Sequence, residues 1–180
     1  MRRWIARHFL NRFSVRYDYD ATYLREMLKV SPTAFFRFAA LSRLARHREA
    51  APVEAYYAAK LVGALFEDCG PCTQLVVAMA REAGVADSDI GAILARDMAS
   101  ASDNAALGFR FADALTRETD DLDPARAAVR SAWGDAGVID LTFAIQVGRL
   151  FPMVKRGLGH ARHCERIRVG DRTISPRRAA

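Results

Sequence analysis

Long apolar runs, cysteine and alternating strand patterns are all scarce in this 180-residue sequence. The longest uninterrupted apolar run, residues 75–80, is far shorter than the roughly 20 residues of a membrane-spanning helix. Three cysteines, an odd number, argue against a secreted disulfide scaffold. The basic N-terminal segment has no continuous apolar stretch, so we expect no signal peptide and a cytoplasmic protein.

The composition is that of one ordinary globular domain, with 51% apolar and 27% charged residues. The net charge of +6 is unevenly distributed along the chain. Residues 1–48 carry 11 basic and 3 acidic side chains, residues 49–154 carry 8 and 16, and residues 155–180 carry 8 and 2. We interpret the basic ends as docking on the acidic middle, or on a neighbouring subunit. Nucleic acid and an anionic membrane stay open as partners, but neither is the one we expect.

Helix-start signals recur along the chain, and no segment alternates apolar and polar residues for long enough to predict a strand. A capping side chain or a proline at the first helical position marks each start. These signals stand at Asp20, Ser31-Pro32, Pro52, Pro71, Ser102 and Asp123-Pro124. The predicted fold class is therefore all-α.

We predict a single helical domain over residues 1–158, with basic helices in 1–30, and a basic tail in 159–180 that is loose beyond Val169. The first helix, 2–12, is expected to dock through Trp4, Ile5, Phe9 and Leu10. The helix that starts at Ser31 should run to about Arg48, and its phenylalanines should be covered by symmetric assembly. The run 138–145 should be buried on most sides.

One motif carries chemistry, the sequence Cys69-Gly70-Pro71-Cys72. Pro71 suits a helix start, and the free N–H groups at a helix N-terminus stabilise a thiolate. Glu67 and Asp68 oppose this by charge repulsion. A pair of buried structural cysteines remains an alternative.

Two other interpretations of this motif are rejected. Zinc would need His160, His163 and Cys164 as further ligands, in a basic segment that disfavours a dication. We expect no metal, no other cofactor and solvated histidines. Thioredoxin shares the tetrapeptide but needs a strand before it, whereas residues 52–66 predict a helix.

A resemblance covers residues 31–158. The stretch 56–72, YYAAKLVGALFEDCGPC, is similar to the central region of the carboxymuconolactone decarboxylase and alkylhydroperoxidase D superfamily. Residues 105–116 and 132–150 resemble two later helices of these proteins. The resemblance implies a helical bundle of that family, with the C-x-x-C turn at the start of a central helix. It also implies a homo-oligomer and a thiol reductant protein as partner.

The resemblance assigns roles to both cysteines, with Cys72 attacking a peroxide and Cys69 resolving the disulfide. General accessibility would instead favour Cys69, which stands outside the helix, as the attacking residue, as in thioredoxin-type dithiols. Peroxidase members have a Glu twelve residues before the first cysteine and a His four after the second, which relay protons. Tyr57 and Val76 occupy these positions here. Valine transfers no proton, and a phenol is a poor base at neutral pH.

Four residues are candidates to support the thiols: Tyr57, Lys60, Glu67 and Asp68. The alternative without a functional role is that Lys60 is solvated and that both carboxylates lie on the surface. The expected function is that of a redox-active dithiol protein, acting by thiol–disulfide exchange or as a weak peroxidase. A non-catalytic protein of the same fold, acting in assembly, binding or redox sensing, is the alternative. Whether the protein is an enzyme stays open at this point.

Overall fold

The computed structural model describes residues 2–163 and 166–176, and they are mostly helical. The helices in this part of the chain are α1 (Arg2–Tyr17), α2 (Thr22–Val30), α3 (Pro32–Ala40), α4 (Val53–Phe66), α5 (Gly70–Glu82), α6 (Asp87–Ala95), α7 (Asp103–Arg117) and α8 (Leu122–Gly157). A 3-10 turn spans Leu44–Arg46. Strands β1 (Ile167–Val169) and β2 (Arg172–Ile174) form an antiparallel hairpin. The all-helical prediction is thus confirmed at the level of fold class, with one small hairpin added.

Helix α4 is the centre of the bundle and packs chiefly against α7 and α8. Nearly every residue from Ala55 to Ala64 is buried. Two glycines allow the close crossing of α4 and α8: a Cβ added at Gly148 would collide with the backbone carbonyl of Lys60, and one at Gly63 with that of Ile145. Small residues at the crossing therefore let the two backbones touch.

Local capping signals place several helix ends as expected. Ser31 accepts a hydrogen bond from the Ala34 amide at 3.3 Å, and Pro52 precedes α4 directly. Ser102 caps α7, and Gly84, with φ +90°, ends α5 in the left-handed conformation. Asp20 accepts from the Thr22 amide and hydroxyl one residue before the N-cap of α2.

The predicted helix from Ser31 to about Arg48 is too long, because α3 ends at Ala40. The chain then turns so that the Ala45 carbonyl accepts hydrogen bonds from Tyr56 and Lys60 of α4, each at 2.8 Å. The phenylalanines of α3 are also covered within one chain: Phe35 is buried, and Phe38 contacts Phe151. This aromatic surface therefore does not require a second subunit.

The loop before α4 is held by a buried carboxylate on α8. One oxygen of Asp140 accepts hydrogen bonds from the amides of Glu49, Ala50 and Ala51 at 2.7–2.9 Å. Burial alone would raise the pKa of Asp140, but these bonds outweigh it and hold the pKa below its ordinary value. The carboxylate thus ties the start of α4 to α8.

The N-terminal helices have a small core of their own, built from Ala6, Leu10, Leu28 and Phe35. Helix α1 docks through Ala6 and Leu10, whereas Trp4, Ile5 and Phe9, which were expected to dock, face solvent. The docking face of α1 is thus narrower than the sequence predicts.

Helix α8 bends at Gly134, whose φ is 69°. By length and composition alone α8 could cross a membrane. A core helix passes the same test, and α8 packs against α4 and α7 through residues such as Leu141 and Ile145. Ile139, which was expected to be covered, is 48% exposed. The apolar side of α8 therefore already has partners within the chain.

The basic tail is partly ordered by the hairpin, in which Ile167 and Val169 join the main apolar core. Strand β1 lies against α5 and α6. The Gln74 side chain donates to the Arg168 carbonyl and accepts from its amide, at 2.9 and 2.8 Å. Residues beyond Val169 that we expected to be loose thus include strand β2.

Candidate functional site

The dithiol lies where α4 gives way to α5. Helix α4 ends at Phe66, and Asp68 takes a left-handed φ of 50°, which turns the chain into Cys69, the N-cap of α5. The Cα atoms of Cys69 and Cys72 are 5.3 Å apart, and their sulfurs lie at disulfide-bonding distance. The Thr73 amide and hydroxyl both donate to the Cys69 carbonyl, at 2.9 and 3.0 Å. The motif therefore forms a compact turn at a helix N-terminus.

Both cysteines are buried, Cys69 with 0% and Cys72 with 4% of its surface exposed. The hydroxyl of Tyr19, from the loop between α1 and α2, lies 3.9 Å from Cys72 Sγ. The C-terminal segment also lies against the motif, since the Gly70 amide donates to the Arg162 carbonyl at 3.1 Å. The cover over the sulfurs thus comes from segments distant in the sequence.

Tyr19 belongs to a buried polar cluster with Tyr23 and Lys155. The ammonium of Lys155 lies 4.4 Å from the ring centre of Tyr19 and 5.6 Å from that of Tyr23, a cation–π geometry. It also donates to the Asp20 carbonyl at 3.3 Å, and its side chain is 1% exposed. A buried cation therefore stands behind the phenol that contacts Cys72.

Burial sets the protonation of this cluster. It raises the pKa of Tyr19 to about 12 and that of Tyr23 still further, so both phenols keep their protons at neutral pH. Burial also lowers the pKa of the Lys155 ammonium. Tyr19 can therefore act as a hydrogen-bond donor to a thiolate, but it is not a base.

Tyr19, Tyr23 and Lys155 are site residues that the sequence did not predict. Tyr19 and Cys72 are 53 residues apart, and Lys155 and Asp20 are 135 apart. The only local signal is the dense tyrosine spacing YDYDATY at residues 17–23. Nothing in that spacing indicates that its second tyrosine contacts the dithiol.

Glu67, a candidate base, is buried and fully engaged. Its carboxylate oxygens pair with Arg149 at 2.9 Å and Arg156 at 3.1 Å, and Arg156 also contacts its carbonyl. The expectation of a surface carboxylate is wrong for this residue, because α8 supplies two guanidinium groups to the end of α4. Glu67 joins two helices, and its position gives it a structural role.

Asp68, the other acidic candidate, pairs with a tail histidine. One of its oxygens lies 2.8 Å from His163 Nδ1, and that histidine is 82% exposed. The second tail histidine, His160, is less exposed and pairs with Glu26 at 2.9 Å. Both histidines that we expected to be merely solvated therefore form ion pairs when protonated.

Lys60 is buried, not solvated as expected, with 5% of its surface exposed. Its ammonium donates to the Ala45 carbonyl and lies 4.3 Å from the ring centre of Tyr56 and 5.2 Å from that of Tyr57. Burial lowers its pKa to about 8. The turn at residues 44–46 folds over this face of α4, which helical spacing cannot reveal.

Tyr57 and Val76 occupy the two positions where the resembling peroxidases have their relay. Val76 follows Cys72 by one turn of α5 and is 8% exposed within the main apolar core, and Tyr57 packs against that core. Among the contacts of the described residues, neither side chain has a polar contact with either sulfur. Val76 is thus an apolar position, whereas the Tyr57 ring faces the Lys60 ammonium.

No group of three or more His, Cys, Asp and Glu in residues 2–163 and 166–176 is arranged to hold a metal ion. Cys164, the third thiol, lies outside the described residues.

Searches for similar proteins give no assignment. No protein-family model, no curated protein and no solved structure matches this chain.

Proposed function

We propose that the protein is a redox-active dithiol protein of the alkylhydroperoxidase D-like type, cycling between Cys69–Cys72 disulfide and dithiol. The observation that carries the proposal is the pairing of the two sulfurs at the N-terminus of α5, with the Tyr19 hydroxyl 3.9 Å from Cys72. A helix N-terminus and a phenol donor both stabilise a thiolate. The helical surroundings of the motif agree with the resemblance in residues 31–158.

The proposed oxidant is a small hydroperoxide, which needs less displacement of the cover over the buried sulfurs than a folded protein disulfide does. The Cys72 thiolate attacks one peroxide oxygen, forming an S–O bond and breaking the O–O bond, and the departing alkoxide takes a proton. The Cys69 sulfur then attacks the sulfenic sulfur of Cys72 and an S–S bond forms. The displaced hydroxide takes the Cys69 thiol proton and leaves as water. The dithiol is oxidised by two electrons and the hydroperoxide is reduced to an alcohol.

A thiol reductant protein restores the dithiol by exchange. Its thiolate attacks one sulfur of the disulfide, and its second thiol resolves the mixed disulfide. This step needs the cover of Tyr19 or of the C-terminal segment to move. We therefore expect reduction by proteins to be slower than reduction by small thiols.

Tyr19 takes over part of the role that the missing relay has in the resembling peroxidases. Its protonated phenol donates to the Cys72 thiolate, and the Lys155 cation behind it favours negative charge. Among the described residues, Tyr19 is the side chain in polar contact with Cys72 Sγ, and its phenol is not a base at neutral pH. Peroxidase activity is accordingly weak, since general acid–base groups contribute about 10²–10⁴-fold.

The proposal is tested by counting thiols in a Cys164→Ser background. Hydrogen peroxide is added to the reduced protein, and the product is mapped by mass spectrometry before and after dithiothreitol. We expect loss of both remaining thiols, an intramolecular Cys69–Cys72 link, and full recovery on reduction.

Single variants in this background establish the order of attack. With Cys69→Ser, Cys72 should accumulate as a sulfenic acid that dimedone traps, whereas Cys72→Ser should leave Cys69 unreactive. Thiols that react with peroxide only after unfolding would contradict the redox function.

The second candidate is a non-catalytic protein of the same fold, in which the cysteines are structural or sense oxidation. The burial of both sulfurs and the engagement of Glu67 by two arginines favour it. An unreactive dithiol that stabilises the folded chain would support this candidate. A cytoplasmic location and a homo-oligomer, as in the resembling family, remain parts of the first proposal.

A further inference from the structure

Helix α1 has an outer side that is rich in arginine and in exposed apolar side chains. Four large apolar side chains on it are mostly exposed, Trp4 by 70%, Ile5 by 54%, Phe9 by 62% and Val15 by 85%. The opposite side of the helix packs on α2 and α3 through Ala6 and Leu10. The exposed set therefore lies on a helix that is already held in place.

The charge of α1 is of one sign. Its sixteen residues include five arginines and one histidine, with no aspartate or glutamate. Some of the arginines bind within the chain, as Arg3 does with the Leu28 carbonyl and Arg16 with Glu82. His8 stacks against exposed Trp4 with ring centres 5.8 Å apart. The exposed apolar side chains thus lie on a helix whose charged residues are all basic.

A basic depression of about 280 Å³ adjoins this surface between α1 and α2, lined by Arg7, Asn11, Arg25 and Lys29. Arg25 is fixed there by hydrogen bonds to Ser14 at 2.9 Å and to Asn11 at 3.4 Å. Three cations and an amide, with no acidic residue in the lining, are suited to a phosphate group. Arg7 lies one helical turn from Trp4, so the depression adjoins that exposed side chain.

We propose that the outer side of α1, together with this depression, binds the surface of an anionic phospholipid bilayer. Trp4, Ile5, Phe9 and Val15 enter the boundary between headgroups and acyl chains, and the depression binds a lipid phosphate. Helices that lie in this boundary combine arginines with tryptophan, phenylalanine and aliphatic residues. The charge complementarity between an acid-free helix and an anionic surface strengthens the attachment.

The observations favour a bilayer over the two other basic-surface partners. Nucleic acid would use the arginines and stack on Trp4, but it offers nothing apolar to Ile5 and Val15. A second copy of the chain would need a surface that complements separate apolar side chains and several arginines at once. A fluid bilayer supplies an apolar interior and a negatively charged surface, and it does not need a surface that is complementary in shape to α1.

The test is co-sedimentation of the full chain with vesicles of phosphatidylcholine alone or of phosphatidylcholine mixed with phosphatidylglycerol. We expect binding to the anionic vesicles that weakens with salt, and little binding to the neutral ones. In a Trp133→Phe background, the emission of Trp4 should shift to the blue on binding. This readout reports insertion of the apolar side directly.

Two pairs of variants separate the contributions. Trp4→Ala with Phe9→Ala should weaken binding about tenfold through lost apolar burial. The control pair, Ile139→Ala with Met153→Ala, removes two apolar side chains that are about half exposed on α8 and should change nothing. Arg7→Glu with Lys29→Glu should weaken binding roughly thirtyfold or more. Arg168→Glu with Arg172→Glu, on the hairpin, is the charge-matched control.

Several results would overturn the proposal. They are a wild-type protein that stays in the supernatant with anionic vesicles, or equal losses in test and control pairs. The proposal would also fail if light scattering showed an oligomer and the double variant Trp4→Ala with Phe9→Ala were monomeric. A second copy of the chain would then cover α1. Displacement from RNA but not from vesicles by these variants would assign the surface to nucleic acid instead.

Discussion

Replacing Tyr19 by phenylalanine removes one buried hydroxyl and leaves the ring in place. That hydroxyl lies 3.9 Å from Cys72 Sγ, and it is protonated at neutral pH because burial raises the pKa of Tyr19 to about 12. In the reduced protein we expect it to donate to the Cys72 thiolate. Tyr19→Phe should therefore reduce the fraction of thiolate and slow every reaction that begins with it.

The size of the effect follows from the geometry. Hydrogen bonds to charged groups contribute about 1.5–3 kcal/mol. Because the oxygen–sulfur distance is long, we take a lower value of about 1 kcal/mol, which corresponds to a roughly fivefold loss of thiolate. Packing should change little, since the phenyl ring keeps its contacts with Phe13 and Lys155.

The assay is the alkylation rate of Cys72 by iodoacetamide at neutral pH, in a background of Cys69→Ser and Cys164→Ser. Tyr17→Phe is the matched control, because it removes a hydroxyl from the same segment that bonds Glu82 instead of sulfur. The control should react at the wild-type rate. An unchanged or faster rate in Tyr19→Phe, with the unfolding midpoint preserved, would refute the assignment of Tyr19 as donor.

Three further predictions concern the fold that holds the site. Asp140→Asn should flatten the loss of stability in acid. The pKa of the Asp140 carboxylate is lowered in the folded chain, so the carboxylate stabilises the fold above the unfolded-state pKa near 3.9, and this stabilisation is lost as the pH falls through the lower folded pKa. Urea unfolding measured at a series of pH values checks this prediction. Lys60→Met should abolish a rise in the free energy of unfolding that the wild type shows between pH about 8 and 10.5. The rise is about 3 kcal/mol, because the folded chain releases the lysine proton at a lower pH than the unfolded chain does. A wild type whose unfolding free energy shows no such rise would contradict this prediction. Gly148→Ala should destabilise the fold by roughly 3 kcal/mol because its Cβ would meet backbone atoms, whereas Gly157→Ala, in open space, should not. Thermal unfolding of both variants is the measurement, and equal midpoints would refute the close crossing of α4 and α8.

Local hydrogen bonding explains why many helix boundaries could be predicted. Ser31, Ser102 and Gly84 act on amides and carbonyls within five residues along the chain. Their effect is present before any tertiary contact forms. The position of the dithiol at the start of α5 follows in the same way, from Pro71 and the two cysteines around it.

Tertiary contacts determined the remaining features of the fold and the site. They join residues that are far apart in the sequence, and such pairs produce no periodic pattern of apolar residues. Helix α3 stops at Ala40, since the next turn presents the Ala45 carbonyl to Lys60, and that contact also explains why this lysine is buried. Cys72 likewise contacts Tyr19 only because the loop between α1 and α2 lies against the start of α5. The sequence alone determined that a dithiol begins a helix in a mostly helical chain. Which groups surround its sulfurs was decided by packing, where desolvation and long-range hydrogen bonds outweigh local preference.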